Sequence, residues 1–509
     1  MRKEKRAFRE NNKDLGSIKL LAGQTAIYGL SSIIGRLFNY MLVPMYTRIF
    51  TTDQYGVVTE MYAYVAFLIV VLTYGMETAF FRFSSKTENK TEIYSSTLIS
   101  IFVTSTIFIG LTSFFSVPIA NWLRYPNHTE YVIWFAIIVG LDALSAIPMA
   151  KLRELEKAKL FAGINLINIF VNIALNLFFL VYCRNHFSTN GEESNWLVKL
   201  CYNPEIGVGY VFISNLVATI TRTLLLLPQM LKINFVYNGA IIRKMLVYSL
   251  PLLIAGLAGI VNETIDRVMI KRILMNSIGE LGAMTQLGIY GACYKVSIII
   301  TIFIQAFRYA AEPFFFSQQK DANAREIYRN VMTYFIIASS TIFLSIMLFI
   351  DVVMMFVGEK FRIGEDVVPI LLMANICLGI FFNLSIWYKL TEKTIYGAGI
   401  TLFGALITII LNYIWIPSLG YMGSAWATLA CYVSMTILSY FIGQRHYPIN
   451  YNLLKGIGYP LSVLLLYHIS TLISHDTEVS QFLVNAVILL LFVGSVYIIE
   501  KPRFLHNHQ

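Results

Sequence analysis

The chain has 509 residues, of which 57% are hydrophobic and 13% charged, and its formal net charge is +10. That balance excludes an ordinary soluble globular protein, in which about a quarter of residues are charged. The basic residues flank apolar runs and form no stripe through polar helix. They are therefore read as topology signals and attraction to anionic lipid, with no nucleic acid as partner.

Apolar runs near 20 residues, the length that crosses a bilayer core of roughly 30 Å, recur along the chain. Fourteen spans are expected, at 20–47, 55–80, 92–118, 129–150, 160–183, 206–230, 244–270, 287–312, 327–350, 366–388, 395–417, 421–443, 456–474 and 479–499. With the N-terminus inside, the cytoplasmic stretches hold about 26 Lys and Arg and the outer ones about 8, as the positive-inside rule requires. Both termini are then cytoplasmic. Met1 to Lys19 is too polar and too rich in acidic residues for a cleaved signal peptide.

The stretch from Glu156 to Leu166, EKAKLFAGINL, returns at Glu392 to Leu402 as EKTIYGAGITL, an offset of 236. Tyr55-Gly56 returns as Tyr290-Gly291, Glu77 as Glu312, and Glu92-Ile93-Tyr94 as Glu326-Ile327-Tyr328, at offsets of 235, 235 and 234. Segments one to six therefore pair with seven to twelve. Six is even, so both copies enter the membrane in the same direction, a parallel repeat about the membrane normal. The expected fold is an all-α polytopic membrane protein. It has a tail at 1–19, an N-lobe at 20–232, a C-lobe at 243–443, helices 13 and 14 at 454–500 and a tail at 501–509.

Charges at membrane depth are costly, by at least about 2.5–3.5 kcal/mol, and so face a cavity or a partner. Segment one carries Thr25, Tyr28, Ser32, Arg36 and Asn39 on one face. Arg36 is open to two readings: a structural pair with a carboxylate, or phosphate recognition through its planar fork of donors. Glu77, after segment two, is expected to meet Arg82. Segment four adds Asp142 and segment six Arg222.

Segment five carries Asn165, Asn168, Asn172 and Asn176 at helical spacing, and segment eleven Thr401, Gly404, Thr408 and Asn412. Side-chain amides bond across helices in membranes, but four on one face exceed one helix contact. The segment-five amides suit a cavity wall facing a hydroxyl-rich ligand, while the Thr-Gly-Thr-Asn of segment eleven is smoother, for close packing or movement. Segment seven carries Asn262, Glu263, Asp266 and Arg267, with Lys271 and Arg272 marking its outer end. Glu263 and Asp266 are candidates for coupling to H+ or Na+, since a poorly hydrated carboxylate holds its proton more readily. Segment eight carries Lys295, then Gln305, Arg308 and Glu312, of which the last two are spaced to pair at i and i+4.

The seven histidines do not cluster, the five cysteines lack metal spacing, and no phosphate loop or Ser/His/Asp array is present. Cys183 and Cys201 alone share a loop. The longest outer loop, Arg184 to Glu205, is too short for a catalytic domain. Neither enzyme activity nor a metal or cofactor is expected.

Tyr46-Thr-Arg-Ile-Phe-Thr-Thr-Asp-Gln-Tyr-Gly56 follows segment one, and Tyr74-Gly-Met-Glu-Thr-Ala-Phe-Phe-Arg82 closes segment two. Asp266-Arg267, Leu287-Gly-Ile-Tyr-Gly-Ala-Cys-Tyr-Lys295 and Gly420-Tyr-Met-Gly-Ser-Ala425 follow in the second half. In this order the motifs resemble the polysaccharide transporter branch, the Wzx-type flippases, of the multidrug/oligosaccharidyl-lipid/polysaccharide exporter superfamily. The resemblance covers about residues 20–443. It implies a two-lobed, V-shaped bundle in the bacterial plasma (inner) membrane. Such a bundle would pass a lipid-diphosphate-linked oligosaccharide to the outer leaflet for surface polysaccharide such as O-antigen, beside a polymerase and glycosyltransferases. Arg36, Arg222, Lys295 and Arg308 would supply positive charge, Asn39 and the segment-five asparagines hydrogen bonds, and Glu263 or Asp266 the cation coupling. The alternatives are a peptidoglycan-precursor lipid flippase and a cation-coupled multidrug exporter.

Overall fold

A computed structural model describes residues 33–191, 195–232, 236–319, 321, 323–473 and 478–506, and every regular element among them is helical. In a bilayer core each backbone N–H and C=O must be satisfied within the protein, and a helix does this with its own chain. The long helices are α1 (Thr52–Thr73), α2 (Lys90–Phe114), α3 (Thr129–Glu154), α4 (Ala158–Leu177), α5 (Gly209–Met230) and α6 (Gly239–Ser317). They continue with α7 (Ala324–Leu348), α8 (Val367–Leu384), α9 (Thr394–Leu419), α10 (Tyr421–His446), α11 (Leu453–Leu472) and α12 (Glu478–His506).

Among the described residues, twelve helical stretches are long and apolar enough to cross a membrane. The chain is a multi-pass membrane protein. One of the twelve, α6, carries both segment seven and segment eight. It turns at Gly279, whose φ of 74° and ψ of 170° are outside the helical region and suit glycine. Each arm of about 40 residues spans roughly 60 Å at 1.5 Å per residue, longer than the expected spans alone. Most of segment one, with Thr25, Tyr28 and Ser32, lies outside the described residues; residues 33–40 are helical.

The described residues form two compact units. One holds the residues up to Leu42 and Met61–Leu257; the other holds Val43–Glu60 and Ala258 onward. In the first unit α2 packs on α3, α3 on α5 and α4 on α5. In the second, α7 packs on α8, α8 on α10 and α9 on α10, which are the counterparts of those pairs. A buried cluster in the first unit holds Phe80, Tyr94, Leu98, Val139, Ile147 and Met245.

The repeat is also visible at single residues. Glu156 and Glu392 both take left-handed backbone, with φ of 56° and 57°. Around them Lys157 N–H donates to Leu152 O and Lys393 N–H to Tyr388 O, at 2.9 and 2.8 Å. These are the same helix-closing turn. Deep in α4 and α9, Asn176 donates to Asn172 O and Asn412 to Thr408 O, both at 2.8 Å. Gly207, three residues after Pro204, and Gly420, three after Pro417, share positive φ of 49° and 58°. Their offset is 213 instead of 236, because the Arg184–Glu205 loop interrupts the register.

Aromatic packing joins the described residues on either side of that loop's centre. The Tyr210 ring lies between Phe179 and Tyr202, with centroids 4.6 and 5.1 Å away. Its hydroxyl accepts from Asn203 N–H at 2.6 Å. Cys183 and Cys201 are both free thiols, the first buried and the second exposed.

Candidate functional site

The polar groups expected at membrane depth gather into four places, two in each unit. In the first unit, Arg36 is exposed on the helical residues 33–40. One turn on, Asn39 Oδ1 accepts from Asn172 Nδ2 at 3.3 Å, and Asn176 Nδ2 donates to Asn172 Oδ1 at 3.1 Å. The far end of the asparagine stripe is thus used in joining helices. The near end is not: Asn165 is half-buried, and Asn168 Oδ1 has no hydrogen-bond partner among the described residues. The second place joins α3 to α5, where Arg222 pairs with Asp142 and Thr219 donates to the same carboxylate oxygen at 3.2 Å. Arg222 therefore has its charge offset where it stands.

In the second unit, Asp266 is buried and accepts from the Tyr290 hydroxyl and from Arg267 N–H. Arg267 lies over the Tyr294 ring, 4.3 Å from its centroid. Lys295 is half-buried, and Arg267 and Glu263 are among the charged groups acting on it. Glu263 is exposed. The fold thus brings Glu263, Asp266 and Lys295 into one mixed-charge, tyrosine-lined group. The fourth place holds Arg308. Its Nη2 is 3.8 Å from Glu312 Oε1, the i,i+4 contact expected from spacing. Lys389 also reaches that oxygen, at 2.5 Å.

Two details differ from the sequence reading. Glu77 pairs with Arg153 and not with Arg82, which lies 4.0 Å over the Tyr248 ring. The packing of α3 on the short helix Met76–Ser84 brings Arg153 to Glu77, a long-range contact that neighbouring residues could not reveal. Lys271 is no interfacial marker: it is 0% exposed and bonds Glu60, also 0% exposed, at 2.8 Å. The segment-eleven stripe is used in packing, as its smoother residues imply. Asn262 donates to Thr401 O at 3.1 Å and accepts from the Thr408 hydroxyl at 3.4 Å, while Ser424 donates to Asn412 Oδ1 at 2.7 Å.

A family model described as "Polysaccharide biosynthesis protein" matches residues 21–319, more than half of the chain. The chain belongs to the polysaccharide biosynthesis protein family. No curated protein matches its sequence. Among solved structures, a lipid II flippase, MurJ, in an inward closed conformation aligns with a TM-score of 0.66 and 13% identity. The alignment covers 92% of this chain and 98% of that one. A multidrug resistance MATE transporter of the MOP superfamily, inward-facing, aligns with a TM-score of 0.60 at 12% identity, over 83% of this chain and 94% of that one. The MATE multidrug transporter DinF-BH in complex with R6G gives 0.60 at 16%, over 85% and 96%. At these identities the likeness is one of fold. This member of the polysaccharide biosynthesis protein family has the transporter fold of the multidrug/oligosaccharidyl-lipid/polysaccharide exporter superfamily, as its motifs imply.

Proposed function

We propose that the chain is a flippase carrying a lipid-diphosphate-linked oligosaccharide from the inner to the outer leaflet of a bacterial plasma membrane, for surface polysaccharide synthesis. The observation that carries this reading is Arg36, exposed at expected mid-span depth beside the asparagine stripe. A guanidinium suits diphosphate and amides suit sugar hydroxyls. In the second unit Lys295 and Arg308 supply further positive charge for an anionic ligand, while Arg222, offset by Asp142, holds its helices in position. Glu263, exposed beside the buried Asp266, is the better placed of the two carboxylates for exchanging H+ or Na+ with solvent. The N-lobe and C-lobe are the two copies of the repeat and the terminal helix pair is an addition to them, with both termini in the cytoplasm and polymerase and glycosyltransferases as neighbours.

The test is complementation of a strain lacking a defined oligosaccharide-lipid flippase, with leaflet-resolved detection of the glycan. Rescue is expected, and Arg36→Ala and Lys295→Ala are each expected to lower translocation at least tenfold. If both substitutions left translocation intact, the anion assignment would be wrong. A second reading, a peptidoglycan-precursor flippase, is favoured by the alignment that covers 92% of the chain and 98% of a lipid II flippase. Rescue confined to a strain lacking that flippase would select it.

A further inference from the structure

Glu77 and Glu312 occupy corresponding positions in the two halves, and each takes a base from the helix end that precedes the left-handed turn. Arg153 serves Glu77, and Lys389 serves Glu312 at 2.5 Å. In the first half, one carboxylate meets one guanidinium. In the second, Arg308 also reaches Glu312 Oε1, at 3.8 Å. The counterpart of Arg308 at the offset of 235 is Thr73, whose hydroxyl donates to Ile69 O at 2.7 Å in its own helix. The second unit therefore places two cations on one carboxylate where the first places one.

The Arg308 contact is loose. At 3.8 Å it is beyond hydrogen-bond length, and Arg308 Nε has no hydrogen-bond partner among the described residues. The guanidinium lies 4.0 Å over the Phe382 ring, which fixes its plane without using its in-plane donors. Arg308 and Glu312 are 39% and 41% exposed, so a ligand in solvent or at the lipid surface can reach them.

We propose that Arg308 and Lys389 form a phosphoanhydride-binding site held closed by Glu312, whose carboxylate the ligand's two linked phosphates displace. One carboxylate leaves a net charge of about +1 on the two bases. A diphosphate offers more charge and two sets of acceptor oxygens, one for the planar fork of Arg308 and one for the ammonium of Lys389. The proposal rests on the lipid-diphosphate reading above and deepens it. It adds Lys389 as a ligand group, and it gives Glu312 the role of a competitor whose removal strengthens binding.

The test uses the full chain in lipid nanodiscs with geranylgeranyl diphosphate, geranylgeranyl monophosphate and inorganic diphosphate as probes. Arg308→Gln and Lys389→Gln are each expected to weaken geranylgeranyl diphosphate binding about tenfold and monophosphate binding less. Glu312→Gln is expected to tighten diphosphate binding several-fold, with Glu77→Gln leaving it unchanged. A purely structural ion pair would not yield that increase. Thermal unfolding of each variant, with Arg308→Lys and Lys389→Arg as conservative controls, separates lost binding from lost folding. Binding by the unaltered protein that is insensitive to Lys389→Gln, or weakened by Glu312→Gln, would overturn the site and leave the flippase reading standing. Equal affinity for inorganic and prenyl diphosphate would overturn the lipid-linked source. No binding of any probe by the unaltered protein would remove both the site and the reading beneath it.

Discussion

At the scale of single residues, sequence spacing located the charges but not their partners. The Arg308–Glu312 pair was legible because both lie on one helix face. The Glu60–Lys271 pair was not, because its members are 211 positions apart and Lys271 stands beside Arg272 in a run that reads as an interfacial anchor. Both are fully buried, so losing one takes from the other its ion-pair partner in a desolvated site, at a cost of up to about 3–5 kcal/mol. Glu60→Leu and Lys271→Met are each expected to lower the unfolding temperature in detergent sharply, and the double substitution to recover most of the loss. If the double variant is as unstable as the sum of the two, the pair is not their main interaction.

Glu365 offers a second residue-scale test, outside the membrane spans. Burial raises its carboxyl pKa, and the nearby Asp351 and Asp366 raise it further. The folded state therefore binds a proton more readily than the unfolded chain, whose reference is 4.5. Stability from this group is greatest at low pH and declines as pH rises from 4.5 through the raised folded value. Glu365→Gln is expected to raise the unfolding temperature at pH 7 and to flatten its change between pH 4.5 and 7.5. An unchanged slope would show that Glu365 titrates alike in both states.

At the scale of elements, the duplication was legible from Glu156–Leu166 and Glu392–Leu402, and the structure gives its physical content. The two copies begin on the same left-handed turn and end on the same buried asparagine. The Pro204/Pro417 relation is not legible at the offset of the repeat because the loop between α4 and α5 shifts it to 213. A non-glycine residue in left-handed backbone costs about 1–2 kcal/mol. Glu392 is exposed, so Glu392→Gly should relieve much of that cost and add about 0.5–1 kcal/mol, read as a rise in unfolding temperature. A fall would mean that the Glu392 side chain makes a contact worth more than the strain.

Glycine has the opposite importance in Tyr55-Gly56 and Leu287-Gly288, two motifs that the repeat and the resemblance singled out without explaining. A Cβ on Gly288 would stand 1.8 Å from Thr52 O, and one on Gly56 would stand 2.4 Å from Met284 O. Both obstacles are backbone, which cannot rotate aside. Gly288→Ala is therefore expected to destabilise the second unit by at least about 1–3 kcal/mol, whereas Gly259→Ala, which meets nothing within 4 Å, serves as the control. Equal unfolding temperatures for the two variants would show that α1 and α6 have room to separate.

At the scale of the whole molecule, composition and span count identified a multi-pass all-α protein, and ordered motifs identified its family, because bilayer thickness and backbone satisfaction leave few alternatives. Substrate is less legible, since cations at membrane depth have the same spacing whether they hold a ligand or a neighbouring carboxylate. Orientation rests on the asymmetry of Lys and Arg, and the chain carries its own reporter for it. Cys201 is exposed in the loop between α4 and α5, which the charge rule places outside; Cys183, Cys293 and Cys431 are buried, and Cys377 is half-buried within α8. A membrane-impermeant maleimide added to intact cells, or to spheroplasts where an outer membrane intervenes, is expected to label the protein. Cys201→Ser should abolish that signal and Cys377→Ala should leave it. If labelling required opening the plasma membrane, the loop would lie in the cytoplasm, both termini would lie outside, and Arg308, Glu312 and Lys389 would meet their ligand on the outer face. The direction of transport assigned to the chain would then have to be reversed along with its topology.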